Sequence, residues 1–198
     1  MTDLNCLTLP TAKDDIRMRT LAKGEGLFYQ GDEAMAIFVV RKGRVRLVRH
    51  LMEGRSVSLY VAQAGQSFAE AALFSSVYHC DAIADVASEI EVHSKASVLQ
   101  ALDTSHQASL DFLAHMSRQV MALRTRLEIR NIRSAKERVL QFLQLEVQQA
   151  DMTVTFAGPL KDVAADIGLS HEAFYRALSE LQSLGLISRS GRSITCVS

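Results

Sequence analysis

Tryptophan is missing from the 198 residues, proline occurs twice and cysteine three times. The cysteines, Cys6, Cys80 and Cys196, are odd in number and far apart. They build neither a disulfide framework nor a CxxC metal pair, which predicts a reducing, cytoplasmic setting. No apolar run approaches the roughly 20 residues a membrane helix needs, so no membrane partner is expected. Met1 to Ala12 has no basic start and no apolar core of the kind a secretory signal carries. Net charge is absent as well. Apolar residues at 48% and charged residues at 22% exclude disorder and collagen-like repeats. The length suits two small domains better than one.

The zero charge hides a split. From Arg118 to the end there are eleven Lys/Arg against eight Asp/Glu, and before it eleven against fourteen. A basic half on one side only points weakly to a polyanionic partner there.

Three zones follow along the chain. Between about Leu21 and His93, turn signals at Gly24-Glu25-Gly26, Gly31-Asp32, Gly43, Glu53-Gly54 and Gly65 recur at the short intervals of an all-β sandwich or barrel. They separate strand-like pieces at Leu27–Gln30, Ala36–Val40, Arg44–Val48, Val57–Val61, Ala82–Val86 and Ile90–His93. Arg44, Arg46 and Arg49 alternate with apolar residues and read as a solvated strand face rather than a nucleic-acid patch. From about Ser105 to Arg133 the period becomes helical. Leu113, Met116, Val120, Leu123 and Leu127 are spaced three and four apart, an a/d seam that predicts self-pairing of two copies, with packing on the chain's own β-domain as the alternative. The seam breaks at Arg130, and Ser134-Ala135-Lys136-Glu137 has the form of a capping box that opens a new helix. That helix should carry Val139, Leu140, Leu143 and Val147 inward and end before Asp151.

The last zone is the most specific. Thr153–Phe156 alternates like a strand, and Pro159 can occupy the first position of a helix. Val163, Ala164, Ile167, Gly168 and Leu169 then follow the helix-turn-helix pattern, with Gly168 accepting a left-handed turn. Ser170 caps a second helix reaching about Leu184. Leu186–Arg189 and Ser193–Val197 flank Ser190-Gly191-Arg192 as a hairpin, a wing. On the second helix, His171, Glu172, Tyr175 and Arg176 are expected to face outward, and Phe174 and Leu178 inward. Arginine can grip guanine and glutamate can accept from cytosine, so these four are the candidate base-contacting residues. Ser170 and Arg192 are candidates for phosphate contact. A helical hairpin without a ligand is the plainer reading of the same pattern, but the wing and the basic balance favour double-stranded DNA.

This order resembles the cyclic-AMP receptor protein/FNR family of bacterial transcription regulators. The resemblance runs over nearly the whole chain. It is carried by Gly24-Glu25, Gly31-Asp32, Val40 to Gly43, Gly54-Arg55, and Gly65 through Phe68-Ala69-Glu70-Ala71-Ala72-Leu73-Phe74. At the other end it rests on Asp166 through Glu172 with Arg176, and on Gly185-Leu186-Ile187. It implies an α+β architecture in three parts. Residues 1–104 would form a jelly-roll-like β-roll, residues 105–133 a dimerisation helix, and residues 134–198 a winged helix-turn-helix. It also implies a homodimer on a palindromic operator whose half-site holds a TG…A element. RNA polymerase would be a further partner if the regulator activates.

The resemblance places an effector pocket at Phe68, Ala69, Glu70, Ala71, Cys80, Asp81, Leu123 and Arg124. There the chain departs from the nucleotide-binding members. Their glycine is Ala69, their Arg-Ser pair is Cys80-Asp81, and their purine-contacting Thr-Ser pair is Leu123-Arg124. A phosphodiester needs a cation and free donors, so cyclic AMP is not the expected effector. His79 and Cys80 leave three readings open: haem ligation, a redox-sensing thiol, or a small buried hydrophobe beside a surface histidine. An iron–sulfur cluster needs four thiolates and is not expected from three cysteines. No nucleophile elbow, GxGxxG or HExxH motif supports an enzyme.

Overall fold

In the first ninety-odd residues, short strands alternate with glycine turns. They are β1 (Ile16–Leu21), β2 (Gly26–Phe28), β3 (Ala36–Lys42), β4 (Arg44–His50), β5 (Ser56–Gln63), β6 (Ser67–Phe68), β7 (Asp81–Ala84) and β8 (Ser88–Ser94). This computed structural model describes residues 9, 15–51, 54, 56–147, 152–156 and 158–197. Cys6, Glu53, Arg55 and Asp151 lie outside the described residues. Two antiparallel sheets form, in the orders β1-β8-β3-β6 and β2-β7-β4-β5. Phe28, Phe38, Phe68, Tyr78 and Ile90 are buried in the core of this roll. Phe28 stacks on Tyr78 at 3.8 Å and on Phe38 at 5.4 Å. Gly43 holds φ +88°, and a Cβ there would run into the Ser88 side chain and the Ala87 carbonyl. Only glycine makes that turn.

The other face of β3, Ile37 and Val39, packs with Leu73, Val98 and Phe112. Val98 lies on α1 (Lys95–Thr104), which the sequence reading does not anticipate. Its start is marked by Ser94, whose side chain accepts from the Ser97 amide at 3.0 Å. Phe112 lies on α2 (His106–Asn131). Ala108, Phe112 and His115 are its buried residues in the first unit, while Leu113, Val120, Leu123 and Leu127 are exposed. Met116 differs from expectation. It sits on the boundary between the two faces, is half-buried, and packs against the Val98–Phe112 cluster.

Arg44 and Arg46 also differ from the expected solvated face. Arg46 grips both oxygens of Asp85, at 2.9 and 2.7 Å, and Arg44 reaches the same carboxylate at 3.0 Å. A carboxylate 39 residues away from Arg46 converts a wet face into a half-buried ion-pair network.

The chain divides into the units Met1–Ser117 and Arg118–Ser198, and α2 runs through the division. The second unit continues with α3 (Ala135–Glu146), β9 (Thr153–Thr155), α4 (Leu160–Asp166), α5 (His171–Ser183), β10 (Ile187–Ser190) and β11 (Ser193–Cys196). The strands pair as β10-β11-β9. Ser134 caps α3 by accepting from the Glu137 amide. Val139 and Leu143 are buried, and Leu140 and Val147 half-buried. Pro159 stands one position earlier than expected, at the N-cap of α4, because its ψ of 141° is extended. Gly168 turns left-handed at φ +70° between α4 and α5. Phe174, Leu178, Leu181, Ile187 and Ile194 are fully or nearly fully buried in the core that joins these helices to the wing.

Candidate nucleic-acid interface and effector pocket

Ser170 opens α5 by accepting from the Ala173 amide at 3.1 Å. Phe174, Ala177, Leu178 and Leu181 bury one side of that helix. At 3.6 residues per turn the opposite side must carry Glu172, Arg176 and Ser179, and all three are exposed. His171 is exposed beside them. Tyr175 is half-buried rather than turned fully outward. Its ring lies 4.5 Å from that of His171 and under the Arg189 guanidinium at 5.5 Å. Arg192 is exposed in the wing turn. The helix therefore offers solvent a carboxylate and a guanidinium one turn apart, on a rigid element.

Two arginines hold the turn ahead of this helix, and sequence reasoning assigned neither a role there. Arg130, where the seam breaks, donates to the carbonyls of Asp166 at 2.9 Å and Ala165 at 3.2 Å. Arg138 donates to Ile132 at 2.9 Å, Ile167 at 3.3 Å and Gly168 at 3.2 Å. These acceptors include the end of α4, whose last carbonyls have no intrahelical donors. A cation there also opposes the negative end of the helix dipole.

In the N-terminal unit the pocket residues separate. Phe68 belongs to the aromatic core, 5.3 Å from Phe38, rather than to a pocket wall. Ala69 holds φ +66°, a left-handed conformation that glycine adopts more readily. Glu70 begins a short 3-10 helix (Glu70–Phe74) and is turned inward, bonded to the Ser67 hydroxyl and 3.5 Å from His115 Nε2. Ser67 Oγ and His115 Nε2 are 3.2 Å apart. Burial alone would push the Glu70 carboxyl up, but hydrogen bonds from His115 and Ser67 outweigh it and hold the group below its ordinary value. Ala71 is exposed. Asp81 is buried, and its carboxylate accepts from the Gln30 amide at 2.7 Å and meets His50 Nε2 at 3.0 Å. Neither carboxylate stands bare, then; each is satisfied by the protein's own donors. Leu123 and Arg124 are exposed on the part of α2 that belongs to the second unit.

His79 and Cys80 do not converge on one ligand. His79 is exposed with Nε2 3.1 Å from Ser75 Oγ, whereas Cys80 is buried. Burial pushes the Cys80 thiol up, which outweighs the pull of Arg49, so the reactive thiolate is disfavoured. Arg49 itself is exposed and donates to the His79 carbonyl at 3.2 Å. This pair does not fit the axial ligand set of a haem iron. Among the described residues no group of three or more His, Cys, Asp or Glu is placed to hold a metal ion, and no helix is long and apolar enough to cross a membrane.

Comparison with known proteins leads the same way. Residues 18–105 match the cyclic nucleotide-binding domain family. Over 180 residues the chain is 27% identical to the transcriptional regulator LdrP of Thermus thermophilus, covering 89% of this chain and 90% of that protein. Over 170 residues it is 25% identical to the cyclic AMP receptor protein of the same organism, covering 85% and 78%. The structure of FixK2 from Bradyrhizobium japonicum superposes with a TM-score of 0.75 at 21% identity, over 92% of this chain and 93% of the other. At that identity it speaks for the fold. With a cyclic nucleotide-binding domain followed by a winged helix-turn-helix, the chain is similar over most of its length to the Crp/Fnr transcription regulators.

Proposed function

We propose that this regulator binds a palindromic double-stranded DNA operator as a homodimer paired along α2, and does so without cyclic AMP or cyclic GMP. The observation that carries DNA recognition is the exposed Glu172–Arg176 pair on α5, one turn apart and backed by a buried face. In the major groove Arg176 would hold guanine O6 and N7, and Glu172 a cytosine amino group. His171 would reach base edges beside them, with Tyr175 at the flank. Ser170 and Arg192 would meet phosphates. Two copies would set half-sites about one helical turn apart or a small multiple of it, ~10 base pairs centre to centre. The effector reading rests on Cys80 and Asp81, which stand where the family's phosphate-binding pair would be. A phosphate arriving there meets a buried carboxylate already satisfied by Gln30 and His50, and like charge in a partly dry site repels several times more strongly than in water.

Arg176→Ala tests base reading. The expected loss is roughly 1–3 kcal/mol on the operator with little change on scrambled duplex. Equal losses on both would reduce Arg176 to a phosphate contact.

A further inference from the structure

Arg189 lies on the wing strand β10, two residues after the buried Ile187 and on the same face of the strand. It continues that face past the edge of the core and comes to rest on Tyr175, with the guanidinium carbon 5.5 Å from the ring centroid. Tyr175 is wedged in turn between His171 at 4.5 Å and Phe174 at 5.9 Å, edge on. The Nε of Arg189 is buried and has no hydrogen-bond partner among the described residues, and no carboxylate pairs with the side chain there. A buried guanidinium nitrogen without an acceptor is costly. Stacking on the ring recovers part of that and leaves the remaining donors at the edge of the guanidinium plane available. Donors held in that plane suit an anion.

Helical spacing says where that anion would lie. Glu172, Arg176 and Ser179 centre the exposed side of α5, whereas Tyr175 flanks it toward the wing. When a helix enters a groove its centre meets base edges and its flanks meet the sugar-phosphate backbone. We infer that Arg189, carried on the Tyr175 ring, is a contact to a DNA phosphate beside the recognition helix, and that Tyr175 is its positioning residue rather than a reader of bases. This rests on the DNA-binding reading above.

The test uses the full chain, fluorescence anisotropy, and two duplexes, an operator selected from a random pool and a scrambled sequence, each titrated over a series of salt concentrations. Arg189→Ala should weaken both duplexes equally, by on the order of tenfold, and make the salt dependence shallower by about one phosphate per subunit. Tyr175→Phe keeps the ring and should match the parent protein. Tyr175→Ala should reproduce the Arg189→Ala phenotype, and the double variant should add little to either. Should Tyr175→Ala fail to fold, the contrast between Arg189→Ala and Tyr175→Phe still decides. An unchanged salt slope in Arg189→Ala, or a loss confined to the operator, overturns the assignment. If the parent protein itself shows no salt-sensitive binding to either duplex, the DNA-binding reading has failed, and that outcome is distinct from a failure of Arg189 alone.

Discussion

Replacing Val120 and Leu127 together by aspartate should turn a dimer into monomers. In the single chain Leu113, Val120, Leu123 and Leu127 are 61%, 46%, 54% and 61% exposed, so the substitutions leave the chain's own core intact. Burying a whole leucine or valine contributes ~1.5–3 kcal/mol. About half of each is available to a partner, which is roughly 1 kcal/mol per residue. Two positions removed from each of two chains cost about 4 kcal/mol, close to a thousandfold in the dissociation constant at ~1.4 kcal/mol per tenfold. The four carboxylates placed in the seam add a further desolvation penalty of several kcal/mol. Sedimentation velocity at micromolar protein reads the result, with circular dichroism to verify the fold. The variant should sediment as a monomer and lose operator binding, since each half-site contact alone is weak. An unchanged dimer would refute pairing along α2.

Three smaller expectations follow from the N-terminal unit. Ala69→Gly removes the side chain from a residue at φ +66°, and should raise the thermal midpoint by the equivalent of about 1 kcal/mol; a lower midpoint would mean that the left-handed residue carries no strain. Cys80, whose thiol burial pushes up, should resist alkylation in the native protein and react only on denaturation, as residue-resolved mass spectrometry will show; rapid native labelling would revive the redox reading. Burial lowers the His93 imidazole from its ordinary 6.5, against the opposing hydrogen bond it donates to Glu91. A depressed folded value means its contribution is intact above about 6.5 and fades as pH falls toward the folded value. Thermal midpoints compared at pH 7.5 and 5.5 should therefore drop more for the parent than for His93→Gln, and equal drops would exclude His93. Glu70, held below 4.5, loses its contribution only at lower pH still, outside that interval.

Local signals in the sequence reached some parts of the structure and not others. Glycine turns and period-two alternation locate β2 to β5, β7 and β8, because each is written in neighbouring residues. The capping serines Ser134 and Ser170 and the left-handed Gly168 work the same way, through one residue and its next three amides. The strand β1 also alternates, with Ile16, Met18 and Thr20 on one side, and Ser94 with Val98, Leu99 and Leu102 could have announced α1. Other features have no local sign. Asp85 between Arg44 and Arg46, Asp81 on Gln30 and His50, and Arg138 on the Gly168 carbonyl join residues 30 to 51 positions apart. Pairing at such range depends on which strands and helices become neighbours. The candidate site shows both cases. The exposed Glu172–Arg176 face follows from helical period alone, but Tyr175 shares that exposed half of the wheel and is drawn partly inward by Arg189, a residue of the wing. Met116 likewise sits at a seam position by spacing, and is claimed by the second apolar face that Ala108, Phe112 and His115 create.

A single titration bears most directly on the central claim. The selected palindromic operator is titrated with the parent protein by fluorescence anisotropy at two salt concentrations, with and without cyclic AMP at millimolar concentration. The account predicts binding of two chains per operator that weakens steeply with salt, with isotherms superimposable in the presence and absence of the nucleotide. Binding that appears or tightens only when cyclic AMP is added would contradict it, and would show that Cys80, Asp81 and Ala69 leave the nucleotide switch intact.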